Sequence, residues 1–266
     1  MIQSSGIRVA VMGCLSLLRA SAQSGPDVHP VKAYVPPTTS ASIVAPIRFE
    51  SATPFDATLH QRFQDCDDRD LCDGKTVNDK CSTDPSRNTV FLKMPDGTVF
   101  FDAKMAIDAD GAQFTKTNPG MTDQAETSLQ YPLPGRPSLD SDKVPYIVTP
   151  GSGLEGSLGI EIGDIAAVVY RDRVGFAIVG DHGPKCKIGE ASIQLHEILG
   201  HKGCKKRDQN GVCQAAASSS IERDVLYFVF PGSKAKIFDG LTPENINQRL
   251  ETEGKKLWDS LRSSKP

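Results

Sequence analysis

Seven short apolar runs, each closed off by Gly, Pro or Asp, limit what this chain can fold into. They occupy residues 89–94, 98–101, 104–109, 144–149, 165–170, 173–179 and 225–230. Runs of four to seven residues rich in Val, Ile, Phe and Tyr between turn formers read as strands. The first two flank Pro95-Asp96-Gly97 and form a hairpin. The connections are long and irregular rather than helical, which argues for a compact β-barrel and against parallel βαβ units. Residues 115–140, heavy in Thr, Asn, Pro, Gly and Asp, form a long loop anchored by Leu129 and Tyr131. Loops of that length are uncommon without a function, and a groove wall is the expected one. Residues 191–199 read as a short helix after Glu190. Thr242 caps a C-terminal helix with Pro243 as its first residue, running to about Leu261. Its Ile246, Leu250, Leu257, Trp258 and Leu261 make a broken apolar stripe, so it packs on the barrel or hangs from it as an appendage. The fold class is therefore mainly β, with short helices and one C-terminal helix.

Residues 1–22 read as a secretory leader: Arg8 supplies the positive end, residues 9–18 the apolar run, and Ala20-Ser21-Ala22 the cleavage site. The apolar run is too short to span a membrane, and no later stretch approaches the ~20 apolar residues needed. Residues 23–54 are rich in Pro, Ser, Thr and Ala and read as a flexible extension. The barrel domain is expected over 55–240 and the helical appendage over 241–266. The expected product is a soluble, exported, extracellular protein that acts as a monomer.

Export agrees with the cysteines. Cys14 falls in the leader, leaving Cys66, Cys72, Cys81, Cys186, Cys204 and Cys213 for up to three disulfides. Sequence locality suggests one bridge within 66–81 and one between Cys204 and Cys213. That leaves a cysteine of the first cluster to reach Cys186. Zinc is disfavoured, because C-x5-C-x8-C lacks the close pair such sites use. Calcium is disfavoured at D-C-D-D-R-D-L-C-D-G (65–74), which lacks the Asp-x-Asp-x-Asp-Gly register. No cofactor or metal is expected. The leader carries Arg8 and Arg19 and no acid, so 28 basic residues face 33 acidic ones in the remainder, a net charge of −5. With no basic patch interleaved with aromatics, nucleic acid is not an expected partner, and an acidic exported chain suits a cationic one.

The chemistry centres on residues 176–195, F-A-I-V-G-D-H-G-P-K-C-K-I-G-E-A-S-I-Q-L. A strand runs into Asp181, a Gly/Pro-shaped loop follows, and Glu190 opens the next apolar segment. Two carboxylates thus stand at the two mouths of one loop. The plain structural reading is that Asp181 caps a turn and Glu190 caps or decorates a helix. The chemical reading is an acid/base pair, one carboxyl keeping its proton and the other ionised, as glycoside hydrolysis requires.

G-D-H-G-P (180–184) followed by G-E-A-S-I (189–193) closely resembles the signature of the fungal-type endo-chitosanases, glycoside hydrolase family 75. Further blocks follow the same order: M-A-I-D-A-D-G-A (105–112), T-S-L-Q-Y-P (127–132), L-D-S-D-K-V-P-Y-I-V (139–148), G-D-I-A-A-V-V-Y (163–170) and D-V-L-Y-F-V-F-P-G-S (224–233). The resemblance covers about residues 102–233 and leaves out the C-terminal helix. It implies a six-stranded double-psi-like β-barrel, which the strand pattern alone does not distinguish from another small barrel. It also implies hydrolysis of β-1,4 bonds inside chitosan with inversion, with Asp181 and Glu190 as the essential acids. Glu190 is then the general acid and Asp181 the general base. Asp108 and Asp110 at a strand end are candidate ligands for the sugar amines, although both also suit a turn. Tyr131 is a candidate stacking platform, and His182 lies between the motif's Asp and Gly. Lys185 and Lys187 are unexpected beside a cationic substrate.

Other chemistries fit less well. His196-Glu197-Ile198-Leu199-Gly200-His201 resembles a zinc-protease motif, but its histidines are five apart, and on a regular helix the second ring points ~140° away. Ser192 lacks a G-x-S-x-G elbow. The alternatives within reach are a hydrolase of another β-1,4 glycan, such as partly acetylated chitin or peptidoglycan, and a non-catalytic polysaccharide-binding module. Both acids are present and there is a single Trp for stacking, which disfavours the module.

Overall fold

The computed structural model describes residues 34–55, 57–78, 81, 90–117, 124–151 and 157–263. The leader, residues 23–33 of the extension and the expected strand start at Thr89 lie outside these residues. Nine strands and three helices concern the site: β1 (Val90–Lys93), β2 (Val99–Asp108), β3 (Tyr146–Pro150), β4 (Ile165–Tyr170), β5 (Arg173–Gly183), β6 (Glu190–Ser192), β7 (Cys204–Arg207), β8 (Cys213–Ala216), β9 (Ile221–Phe230), α1 (Ala57–Arg69), α2 (Ile193–Ile198) and α3 (Ile246–Ser263).

Six strands close on themselves in the order β2-β9-β4-β5-β3-β6, with β6 returning to β2. Four of the six pairings are antiparallel; β3–β5 and β2–β6 are parallel. Closure removes the sheet edges that would otherwise expose unpaired backbone. β1 pairs with the first half of β2, extending the sheet beyond the ring.

Alternation along the strands sorts the core into two layers. Phe101, Ala103, Met105, Ile147, Ala166, Val168, Ala177, Val179, Ala191, Val225, Tyr227 and Val229, from all six strands, form one cluster that fills the barrel. Phe100, Tyr146, Val148, Ile165, Ala167, Phe176, Ile178, Leu226 and Phe228 form the other, on the outer face. The 127–144 loop covers this face with Leu129, Tyr131, Leu139 and Val144. α3 covers it with Ile246, Leu250, Trp258 and Leu261, and the Trp258 ring meets Phe228 edge-on at 5.1 Å. Residues 34–54, read from composition as part of a flexible extension, add Val44, Ile47 and Phe49 to the same layer. Tyr34 packs its ring on Phe49 and Phe100 and donates its hydroxyl to Asp102 at 2.6 Å. Four apolar anchors spaced among Pro and Ser suffice to seat a segment whose average composition looks unstructured.

Three sequence expectations change. β2 is one strand of ten residues instead of two short ones, because Asp102 and Lys104, which interrupt the apolar run, both find polar surroundings on the outer face. Glu190 opens a strand rather than preceding a helix: Glu190 and Ala191 pair with Ala106 and Ile107 on one side and with Val148 and Ile147 on the other. The helix begins only after Ser192, whose Oγ accepts from the Leu195 amide as an N-cap. The C-terminal helix starts at Ile246, three residues after Pro243. Asn245 closes a turn there, accepting from the Thr242 amide and donating to the Gly240 carbonyl.

Three disulfides form on the expected plan: Cys204–Cys213, a bridge within the first cluster, which is Cys66–Cys81, and a bridge to Cys186, which Cys72 makes. Of the five acids in the 65–74 stretch, Asp65 pairs with Arg69 and Asp73 with Arg62 and Lys185.

Because α3 is part of the core layer, Trp258→Ala should destabilise the whole barrel by about 3–5 kcal/mol, the range for emptying a buried aromatic site. Chemical denaturation monitored by circular dichroism measures it; an unchanged midpoint would make α3 an appendage.

Candidate active site

Asp181 owes its position to a β-bulge. Along the parallel pair, Ile147 faces Val179 but Val148 faces Asp181, so Gly180 is the surplus residue. Strict alternation would turn Asp181 to the same side as Val179, into the barrel. The extra residue re-aims it outward, beside Val148. Only glycine fits at the surplus position, since a Cβ on residue 180 would lie 2.6 Å from the Tyr146 Cβ. The 127–144 loop completes the bulge: the Leu129 amide takes the Gly180 carbonyl, and the Ser128 amide (3.0 Å) and hydroxyl (2.5 Å) both donate to Asp181 Oδ1. The His182 amide adds a third donor at 2.7 Å. Asp181 is 4 % exposed, and its Oδ2 is buried without a hydrogen-bond partner among the described residues.

Glu190 stands on the other side of the same residue. Val148 pairs with Asp181 on β5 and with Glu190 on β6. Adjacent strands lie about 4.8 Å apart, so the two acids rise from backbones about 9–10 Å apart with β3 between them. The connecting loop is short and fastened: Cys186 is bonded to Cys72, and the Gly189 carbonyl accepts from the Ala106 amide. Gly183 leaves room for the Glu190 carboxylate, whose Oε2 would lie 2.8 Å from any Cβ there. Lys187 meets Glu190 Oε1 at 2.9 Å. Lys185 turns away to Asp73, so each of the two unexpected lysines is matched by an acid. Lys104, buried under the loop, is pushed down to about 8 by burial and by the Lys187 charge, while Glu190 and Asp67 act the other way.

A cleft of about 740 Å³ opens beside Glu190, lined by Asp108, Asp110, His182, Gly183, Lys187 and Glu190 among others; Asp181 is buried next to it and is not part of its lining. One carboxylate oxygen from each of Asp108, Asp110 and Asp181 lies within 4.8 Å of the other two. At that spacing each ionised pair repels by about 3 kcal/mol at an effective dielectric near 20. Desolvation, reinforced by Asp110 and then by Asp181 and Glu190, drives Asp108 well above the usual carboxylate range. The Asp110 amide donates to Asp108 Oδ1, and the Gln124 amide to Asp110 Oδ1.

Of the residues singled out from sequence, Asp108, Asp110, Asp181, His182 and Glu190 come together. Tyr131 does not. It is 2 % exposed, in the outer core layer with Leu129, and offers no ring to the cleft. An aromatic in a polar loop served as an anchor and had no surface left for stacking. Sequence reasoning missed Ser128, whose hydroxyl and amide hold Asp181. Its only signal was a place within the 127–132 block. The histidine pair also differs from expectation: α2 stops at Ile198 and the chain turns at Gly200, bringing His196 and His201 Nδ1 atoms to 3.2 Å. His196 Nε2 bonds the Ala106 carbonyl, and burial holds its imidazole down at about 4. The two rings are hydrogen-bonded to each other, and they join no group of three potential ligands among the described residues.

The sequence profile of the fungal chitosanases of glycosyl hydrolase group 75 matches residues 105–260, more than half of the chain. The match extends past the blocks recognised in the sequence and takes in most of α3. A search of curated proteins finds no match.

Ser128→Ala removes one of three donors on Asp181 Oδ1 and should lower chitosan hydrolysis at least tenfold. The loss of one hydrogen bond to a charged group should cost about 1.5–3 kcal/mol of stability. Reducing-end release and a thermal melt measure the two effects; unaltered hydrolysis would remove Ser128 from the site.

Proposed function

This chain belongs to the fungal chitosanases of glycosyl hydrolase group 75, glycoside hydrolases acting on chitosan, and on that footing we propose that it is a secreted, monomeric endo-chitosanase working with inversion. The observation that carries the proposal is the pairing of Asp181 and Glu190 with opposite sides of Val148, where Glu190 and Val148 line the cleft and the buried Asp181 carboxyl lies within 4.8 Å of the cleft residues Asp108 and Asp110. An inverting pair needs about 6.5–9.5 Å between carboxyls to leave room for a water, whereas a retaining pair stands only about 5 Å apart. Backbones two strands apart suit the wider spacing.

Glu190 protonates the leaving oxygen, and Asp181 accepts a proton from the attacking water on the opposite face of the sugar. Three donors fix Asp181 Oδ1, so the carboxylate meets the water in one orientation, with no reorganisation during the reaction. Lys187 holds Glu190 in the free protein. A sugar entering the cleft displaces the lysine, and the released carboxylate takes up a proton from solvent, which it then gives to the leaving oxygen. The acidic wall of Asp108 and Asp110 faces the sugar amine, with His182 at the rim. The net charge of −5 after loss of the leader draws the polycation in. Three disulfides fit an oxidising extracellular setting, and residues 1–22 direct export. Among the described residues no helix is long and apolar enough to cross a membrane. The two parallel pairings in a closed six-stranded ring support the double-psi class.

Asp181→Asn and Glu190→Gln should each slow depolymerisation of chitosan by about 10²–10⁴-fold, followed as the fall in solution viscosity, while the folded spectrum is kept. Near-parent activity in either variant would overturn the pair.

A further inference from the structure

The cleft has a neighbour. Ser220 lines both the cleft and a second cavity of about 400 Å³, whose wall also holds Tyr170, His201, Glu222 and Asp224. Sequence and backbone together shape the join. Residues 215–220 read Ala-Ala-Ala-Ser-Ser-Ser, so this segment puts no bulky side chain between Ala217 in the cleft and Ser220 at the join. β9 then begins irregularly: Ile221 faces Met105 and Val225 faces Ala103, so Glu222, Arg223 and Asp224 stand opposite the single Lys104. Asp224 takes a φ of +66°, a left-handed conformation that costs a residue with a side chain about 1–2 kcal/mol. Bulges of this kind re-aim side chains, and here Glu222 and Asp224 leave the ladder for the wall of the second cavity.

The histidine pair supplies a further acceptor. A carbonyl can only accept, so His196 Nε2 carries a hydrogen and donates to the Ala106 carbonyl. Burial keeps His196 neutral, so its Nδ1 accepts, and His201 Nδ1 is the donor to it. Burial and the Arg171 charge hold His201 down as well. Its Nε2 is left as an acceptor on a residue that lines the second cavity. Tyr170 lies in the same wall with the Arg171 guanidinium over its ring at 5.0 Å. Arg171 and Arg223 offset the two acids, so this cavity is close to neutral where the cleft is acidic.

We propose that the second cavity is a distal subsite, which holds a further sugar of the same chitosan chain once that chain has crossed Ser220. The proposal rests on the chitosanase reading of the cleft. Glu222, Asp224 and His201 Nε2 accept from the amine and hydroxyls of the distal sugar, and the two arginines donate to its oxygens. Binding there depends on hydrogen bonds more than on net charge. A chain that occupies both cavities gains affinity that a short oligomer cannot reach, and binding far from the scissile bond helps hold the reacting sugars in place.

The test is kcat/KM on a ladder of glucosamine oligomers from dimer to octamer, for the parent and for Glu222→Gln combined with Asp224→Asn. Asparagine accepts the left-handed backbone at 224. The parent-to-variant ratio should rise with oligomer length and reach about fivefold on the longest. A ratio that stays flat along the ladder, whatever its value, overturns the subsite. Glu222→Gln alone, at an exposed side chain, repeats the test without touching the strained residue and should show the same upward trend. Binding gives a reading that needs no turnover. In Glu190→Gln protein the octamer should shift the His201 ring signals in NMR spectra, and the dimer should leave them in place. His201 signals unmoved by a bound octamer would overturn the proposal. A parent that leaves every oligomer intact would instead defeat the chitosanase reading, and the His201 signals would still decide whether the second cavity holds a sugar.

Discussion

The parallel pair of β3 and β5 carries one more residue on β5 than on β3, and the placement of the candidate site follows from that surplus. Gly180 absorbs the irregularity, its carbonyl is taken by the Leu129 amide, and Asp181 changes sides. The consequence is chemical. An aspartate inside the barrel would be a buried charge among Ile147, Ala177 and Val179; on the outer face its carboxyl lies next to Asp108 and Asp110, which line the cleft. Much of the surrounding structure secures this one displacement. The 127–144 loop closes over it, and Leu129, Leu139 and Tyr131 bury that loop on the outer layer.

The second acid is secured differently. Glu190 sits on a three-residue strand that would be marginal alone. It is held because β6 pairs on both sides, with β2 and with β3, and because the loop before it is bonded through Cys186 to Cys72. Backbone pairing therefore sets the distance between the two acids, with less left to flexible side chains. A site built on strands holds its geometry better than one built on loops alone. The negative charge of the cleft has a structural cost, visible in the raised Asp108 carboxyl and in the lysine that neutralises Glu190.

Much of this was legible in the sequence. Strand 165–170 was read with its observed bounds. Locality marked out Cys204–Cys213 and a bridge from the first cluster to Cys186, without saying which cysteine makes it. G-D-H-G-P and G-E-A-S-I singled out two acids that the fold brings to either side of Val148. What escaped has physical reasons. A bulge depends on the partner strand, so periodicity within 176–183 gives no sign of it. The strand at Glu190 is too short to show an alternation and is set by neighbours 40 and 80 residues away. Tyr131 is the loop anchor expected of it and for that reason not a stacking platform, and local polarity in 34–54 hides the few apolar side chains that reach the core. A helix continuing to residue 201 would have held the two histidines on different faces; it ends at Ile198, and the chain turns at Gly200.

The central claim is that Asp181 and Glu190 act across the width of β3, far enough apart to admit a water. Proton NMR of the first products from a soluble glucosamine oligomer, recorded before mutarotation, tests it most directly. The expected product carries the α configuration at its new reducing end. A β product would mean attack by a carboxylate at close range, and the arrangement described for these two acids would be wrong.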